Sequence, residues 1–251
     1  MEAYALPAEV YGAGLVFARI GALVMVLPGI GEQAVPPRIR LAFALVLSLV
    51  LFPVVRVGLP IVPGDVSGVA GQVIVEVLIG LSVGVLLRMF LSTLAVAGET
   101  ISIQTTLAFA QTANPIQAQP GAALTVFLTL LGTVLIFSTN LHHMFIAGIA
   151  RSYTLFPIGR GIPVNDLTAL SIRAFSQSFA LGIQLAAPVI VFSLVFNVAV
   201  GFVGRVMPQF QVFFVATPLA VLLGLSIFAL GLGTLSLVWL NHYRAFVDQL
   251  V

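Results

Sequence analysis

Between Val69 and Ala97 the chain carries only two charged residues, Glu76 and Arg88, in a run that is otherwise apolar or small apart from Gln72. Five more runs of the same kind follow the chain: Val10–Leu27, Ile39–Val55, Ala122–Ala150, Ser171–Val203 and Val215–Leu240. An α-helix rises about 1.5 Å per residue, so roughly 20 apolar residues cross the hydrocarbon of a bilayer. Each run therefore reads as a helix of spanning length. A β-barrel needs repeated alternating runs of about ten residues, and these runs are continuous instead. The third, fourth and fifth runs are longer than a span requires, so they tilt, break or project beyond the hydrocarbon.

Composition excludes the soluble alternative. The chain is 60% hydrophobic and 7% charged, with a mean hydropathy of +1.18. A soluble domain carries about a quarter charged residues, and too few are present to make a water-facing surface. The fold expected is an all-α integral membrane protein with about six long apolar helices in hairpins. Turn chemistry marks the joints: Pro28, Pro36 and Pro37, then Pro53, Pro60 and Pro63, then Pro157 and Pro163, then Pro208 and Pro218. Proline lacks the backbone N–H and disfavours helix in the residue before it. The start, MEAYALPAEVYGAG, has no basic stretch before its apolar run, so that run is expected to be kept rather than cleaved.

Several functions lose their footing. With no cysteine, disulfides, thiolate metal sites and thiol nucleophiles are ruled out. All ten basic residues are Arg, they do not cluster, and the net charge is only +2, so nucleic acid is not an expected partner. Arginines fall on both sides of the segments in near balance, and the positive-inside rule gives no orientation. His142 and His143 are adjacent, about 100° apart on a helix, where a metal pair prefers i, i+4; a polar contact between helices is expected of them. No nucleophile elbow, Ser–His–Asp set, Walker or dinucleotide glycine pattern occurs. No catalytic site, metal or cofactor is expected, and the chain does not read as an enzyme.

Charges inside apolar segments are costly and face protein or water. Here they are Arg19, Glu76, Arg88 and Glu99, with Arg205 at a segment end. Arg88 and Glu99 are eleven positions apart, and Glu76 and Arg88 twelve, about three turns in either case. Neither pair touches within its helix, so partners are expected on other helices or other chains. Interhelical pairing that fixes assembly is the reading favoured over a proton or ion relay. Gly80 and Gly84 form a Gly-x-x-x-Gly spacing, which allows close helix approach. Pro208 and Gln209 turn the chain after Arg205. These nine residues are the candidate assembly interface.

Several blocks, taken in order, carry a resemblance. They are ARIGALVMVLPGIGEQAVPPRIRLAFAL (Ala18–Leu45), EVLIGLSVGVLLR (Glu76–Arg88), AGETISIQTTLAFA (Ala97–Ala110), NLHHMFI (Asn140–Ile146), FPIG (Phe156–Gly159) and GFVGRVMPQFQVFFVATPLAVLLGL (Gly201–Leu225). Across nearly its whole length the chain resembles the type III secretion export-gate family, in its flagellar branch. The resemblance implies a subunit of a hetero-oligomeric, helically arranged core in the bacterial inner membrane, at the flagellar basal body. FliP-like and FliQ-like subunits would be its neighbours, with FlhB-like and FlhA-like components beside them and unfolded flagellar proteins as cargo. It further implies a FliP-like part over residues 1–170 and a FliQ-like hairpin over residues 171–251.

The same resemblance gives a role to the uncharged stretch FAQTANPIQAQPG (Phe109–Gly121). In the family the segment between the helices that match the third and fourth apolar runs enters the channel. A loop near residues 106–121 would then help to plug the pore, with Phe109, Gln111, Thr112, Asn114, Pro115, Gln117, Gln119 and Pro120 as its working residues. Irregular backbone at membrane depth is tolerated where it is buried in protein or lines a water-filled cavity. An exposed loop is the competing reading of the stretch. For the whole chain, a small secondary transporter or a membrane scaffold without a channel stays open. Arg19 and Arg205 each precede a proline hairpin and another apolar helix, a faint echo of two repeated halves.

Overall fold

A computed structural model of the chain describes residues 7–32, 35–55, 60–108, 123–159, 161, 164–207, 209 and 211–250. Seven helices and no strand occur among the described residues. They are α1 (Pro7–Val26), α2 (Pro37–Val55), α3 (Val66–Gln104), α4 (Ala123–Ser138), α5 (Leu141–Leu155), α6 (Val164–Val206) and α7 (Val212–Leu250). Five are long and apolar enough to cross a membrane, or six spans if the bent pair α4 and α5 is taken as one. The chain is thus an all-α membrane protein.

Local sequence accounts for several of the helix ends. Pro7 and Pro37 open α1 and α2, where a missing N–H costs nothing and the fixed φ suits a helix. Asp65 caps α3: its Oδ2 accepts from the Gly68 N–H at 3.0 Å and from the Ser67 hydroxyl. These two bonds hold its carboxyl below the usual carboxylate range. Between α1 and α2 the chain turns through Gly29 at φ 80°, and the Gly31 N–H donates to the Leu27 carbonyl at 2.7 Å. Pro188 and Pro218 sit inside α6 and α7, as membrane helices tolerate when neighbours serve the freed backbone groups.

The fourth apolar run breaks. α4 ends at Ser138, α5 starts at Leu141, and the two are bent by 77°. Asn140 takes the left-handed conformation at φ 60°, which a short polar side chain adopts more readily than an apolar one. Helix α6 runs unbroken through residues 170 and 171, where the hairpin part is expected to begin.

Two compact units share these helices. The first comprises residues 1–89, 136–174 and 244–251, the second 90–135 and 175–243. In the first, Leu15, Val16, Ile20 and Leu23 of α1, Ile79 and Leu86 of α3, and Phe145 and Ile149 of α5 are buried. In the second, Leu94, Ala97 and Ile101 of α3, Leu128 of α4, Ala186 and Val189 of α6, and Trp239 of α7 are buried. The Trp239 Nε1–H donates to the Phe90 carbonyl at 3.2 Å, and its ring stacks on Tyr243 at 5.1 Å.

Candidate functional site

The first unit is centred on a buried charge. Arg19, on α1, has no solvent exposure, and neither has Glu76 of α3. The Arg19 Nε–H donates to Glu76 Oε2 at 2.5 Å. Its Nη1 reaches the carbonyls of Phe156 at 2.8 Å and Ser152 at 3.3 Å, at the end of α5. The guanidinium lies 4.3 Å from the centre of the Tyr153 ring, a favourable placement over a π face. Tyr153 in turn donates from its hydroxyl to the Val16 carbonyl at 3.3 Å. One side chain thus binds three helices, with a carboxylate, two helix-end carbonyls and an aromatic face. Both carbonyls lie at the C-terminal end of α5, where the helix dipole carries partial negative charge, although Ser152 also accepts from the Phe156 N–H at 2.8 Å; a cation is favourable there. Arg19 Nη2 and Glu76 Oε1 are buried without a partner.

The glycine pair lies beside this knot. A Cβ on Gly80 would collide with the Arg19 carbonyl oxygen and crowd Ala22, and one on Gly84 would lie 3.0 Å from the Leu23 carbonyl. The Gly-x-x-x-Gly face of α3 therefore packs on α1 of the same chain, and close backbone approach brings Glu76 within reach of Arg19. Glu76 needs no other subunit for its counter-charge.

The other candidates scatter. Arg88 Nη2 lies 3.7 Å from Glu32 Oε2, with half of its side chain exposed. Glu99, in the second unit, accepts from Thr125 Oγ1 at 3.2 Å on an exposed face. Arg205 is exposed in the last turn of α6, a favourable end for a cation. Gln209 is exposed in the turn between α6 and α7, and Pro208 lies outside the described residues. So do Phe109, Gln111, Thr112, Asn114, Pro115, Gln117, Gln119 and Pro120. The His142 ring lies tilted against Phe137 at 5.5 Å and against His143 at 4.2 Å, beside the break at Asn140.

Sequence reasoning missed the groups that complete these sites. Ser152, Tyr153 and Phe156 occupy one end of α5, and Ser152 and Phe156 act through backbone carbonyls, which leave no trace in side-chain identity. Tyr153, three residues before the FPIG block, was the available signal. Gln104, at the end of α3, accepts from the Ser193 hydroxyl at 2.6 Å. Tyr11 donates to Gln72 Oε1 at 2.5 Å. Each of these is a polar residue in an apolar run, the pattern used to single out the charges.

Comparison with known proteins bears on what these helices serve. The family described as bacterial export proteins, family 1, matches residues 10–246. The chain is 55% identical over 248 residues to the flagellar biosynthetic protein FliR of Caulobacter vibrioides, covering 99% of each chain. It is 31% identical over 232 residues to the FliR of Aquifex aeolicus, covering 92% of this chain and 89% of that one. To the FliR of Escherichia coli it is 29% identical over 213 residues, with 84% and 80% covered. The chain belongs to the bacterial export proteins, family 1, and is a multi-pass inner-membrane protein of the flagellar apparatus.

Proposed function

We propose that this chain is a subunit of the flagellar type III export gate, a structural part of a channel and not an enzyme. With FliP-like and FliQ-like subunits it forms a passage for unfolded substrates, and FlhB-like and FlhA-like components work beside it. The observation that carries this reading is the 55% identity to a flagellar biosynthetic protein FliR over 99% of both chains. A second observation supports an assembly. Only 17% of the most apolar window of α6, and 17% of that of α7, is buried within the chain, which leaves most of both helices to lipid or to other subunits. The FliP-like part at 1–170 and the FliQ-like hairpin at 171–251 belong to the same proposal.

In this reading the segment near 106–121 helps to plug the pore, and Arg205, Pro208 and Gln209 meet a neighbouring subunit. Arg19, Glu76, Gly80 and Gly84 serve assembly by giving α1, α3 and α5 a fixed arrangement. A plug blocks small solutes at rest and yields to a polypeptide, so it is held by replaceable bonds of about 1 kcal/mol each. Deleting Thr112–Ala118 leaves the complex assembled and makes the membrane permeable to small solutes. Suppose that leakage does not change and that a cysteine at Ala113 reacts with a reagent too large to enter the channel. The stretch is then an outside loop.

A further inference from the structure

The helix α3 stops at a place where its sequence gives no reason to stop. No Gly, Pro or Asn occurs between Glu99 and Ala113, and Leu107 and Ala108 are helical again. Yet Thr105 and Thr106 form a turn, and Thr106 sits at φ 58°. A β-branched residue rarely adopts that conformation. Strain of this kind persists only where the surroundings over-determine it.

Two contacts in the second unit do so. The Ser193 hydroxyl of α6 donates to Gln104 Oε1 at 2.6 Å, and Ser193 is buried. Thr105 is fully buried, and its methyl fills the notch left by Gly224 of α7, where a Cβ would collide with it. The Thr105 hydroxyl and backbone N–H both donate to the Ile101 carbonyl at 2.9 Å, so Thr105 itself still closes the last turn of α3. Thr106 Oγ1 is buried without a partner. The two residues before Thr106 are thus each tied to a different helix.

We propose that Ser193, Gln104 and Gly224 are positioning residues that hold α3 broken at Thr106. They fix the direction in which Leu107 and Ala108 leave the helix. If the segment after them is the plug, as proposed above, this latch sets its root. Its removal lets the root move while the rest of the chain keeps its packing.

The test uses the full chain in its membrane complex, with two readouts. Amide hydrogen exchange over Ile103–Ala108 reports the latch itself, and leakage of a small solute reports its consequence for the pore. Ser193→Ala speeds exchange there about fivefold, the factor for one ordinary hydrogen bond, and Ser193→Thr, which keeps the hydroxyl, does not. Faster exchange together with raised leakage supports both the latch and the plug. Faster exchange with unchanged leakage supports the latch and removes the plug. Unchanged exchange in Ser193→Ala overturns the proposal, as does equally fast exchange in Ser193→Thr. Where Ser193→Ala does not assemble, Gln104→Ala breaks the same bond from the other side and is read in the same way. Failure of both to assemble also overturns it, because the bond would then hold the whole chain and not its root.

Discussion

The helix pair α1 and α3 and the helix pair α6 and α7 solve the membrane problem in opposite ways. α1 and the first half of α3 meet through glycine, carry a buried Arg and Glu, and pair them with each other and with the end of α5. In both α1 and α3, 39% of the most apolar window is buried within the chain. In α6 and α7 the figure is 17%, and Phe202, Leu194, Phe214 and Leu230 stand exposed. A cavity of about 360 Å³ remains between them, lined by Gln184, Pro188, Ile227, Gly231 and Thr234 with Ile101 of α3. The difference teaches where specificity is stored. The first pair is fixed by polar groups whose positions admit one arrangement, whereas the second presents apolar faces that the described residues leave uncovered.

The contrast is broken most severely at Arg19. Replacing it by Ala leaves Glu76 buried and unpaired, at a cost of about 3–5 kcal/mol, and the melting temperature of the chain in detergent falls. Reversing both charges, with Arg19→Glu and Glu76→Arg, does not restore it, because the carbonyls of Ser152 and Phe156 would then face a carboxylate. Recovery of the melting temperature in that double variant would reduce the site to a simple ion pair. Next in size is Gly80→Ala, which drives a methyl into the Arg19 carbonyl and costs about 1–3 kcal/mol as overpacking. Gly84→Ala, with more room, costs less, and Leu at Ala95 serves as a control elsewhere on α3. Equal losses at all three positions would mean that the glycine face has no special part.

Changes on α6 and α7 are expected to separate assembly from folding. Leu194→Gln and Arg205→Glu leave the melting of the isolated chain unchanged and lower the amount of FliP-like and FliQ-like subunits that co-purify with it. A fall in the chain's own stability would show that these faces pack internally. A smaller effect follows from Arg88→Ala, since its pair with Glu32 is long and half-exposed; pairs of that kind contribute about 0–1 kcal/mol. The smallest is the cap of α3. The Asp65 carboxyl is lowered in the folded chain, so its contribution is present above the ordinary carboxylate pKa. It is lost as pH falls through the lower, folded value. Asp65→Asn, which keeps the acceptor, flattens that dependence in a melting series between neutral and acid pH.

The sequence by itself determined the environment and the material. Apolar runs with almost no charge leave nothing but membrane helices, because that effect is compositional, and several prolines fall at their joints. Pro53 and Pro218, expected at joints, lie instead inside α2 and α7, where neighbouring helices can serve the freed backbone groups. The sequence also singled out Arg19, Glu76 and Gly80, which the fold brings together, since a charge inside an apolar run is expensive wherever it ends up. Their partners were another matter. Arg19 and Glu76 are 57 positions apart on different helices, and no local rule gives the rotation that makes them meet. The break at Asn140 had a local signal, a single Asn ahead of two histidines, in a run that otherwise reads as one helix. The break at Thr106 had none, because it is imposed from outside by Ser193 and Gly224. Tertiary structure decided these points for one reason. A backbone carbonyl, a hydroxyl or a missing Cβ acts through position, and position exists only once the helices have packed.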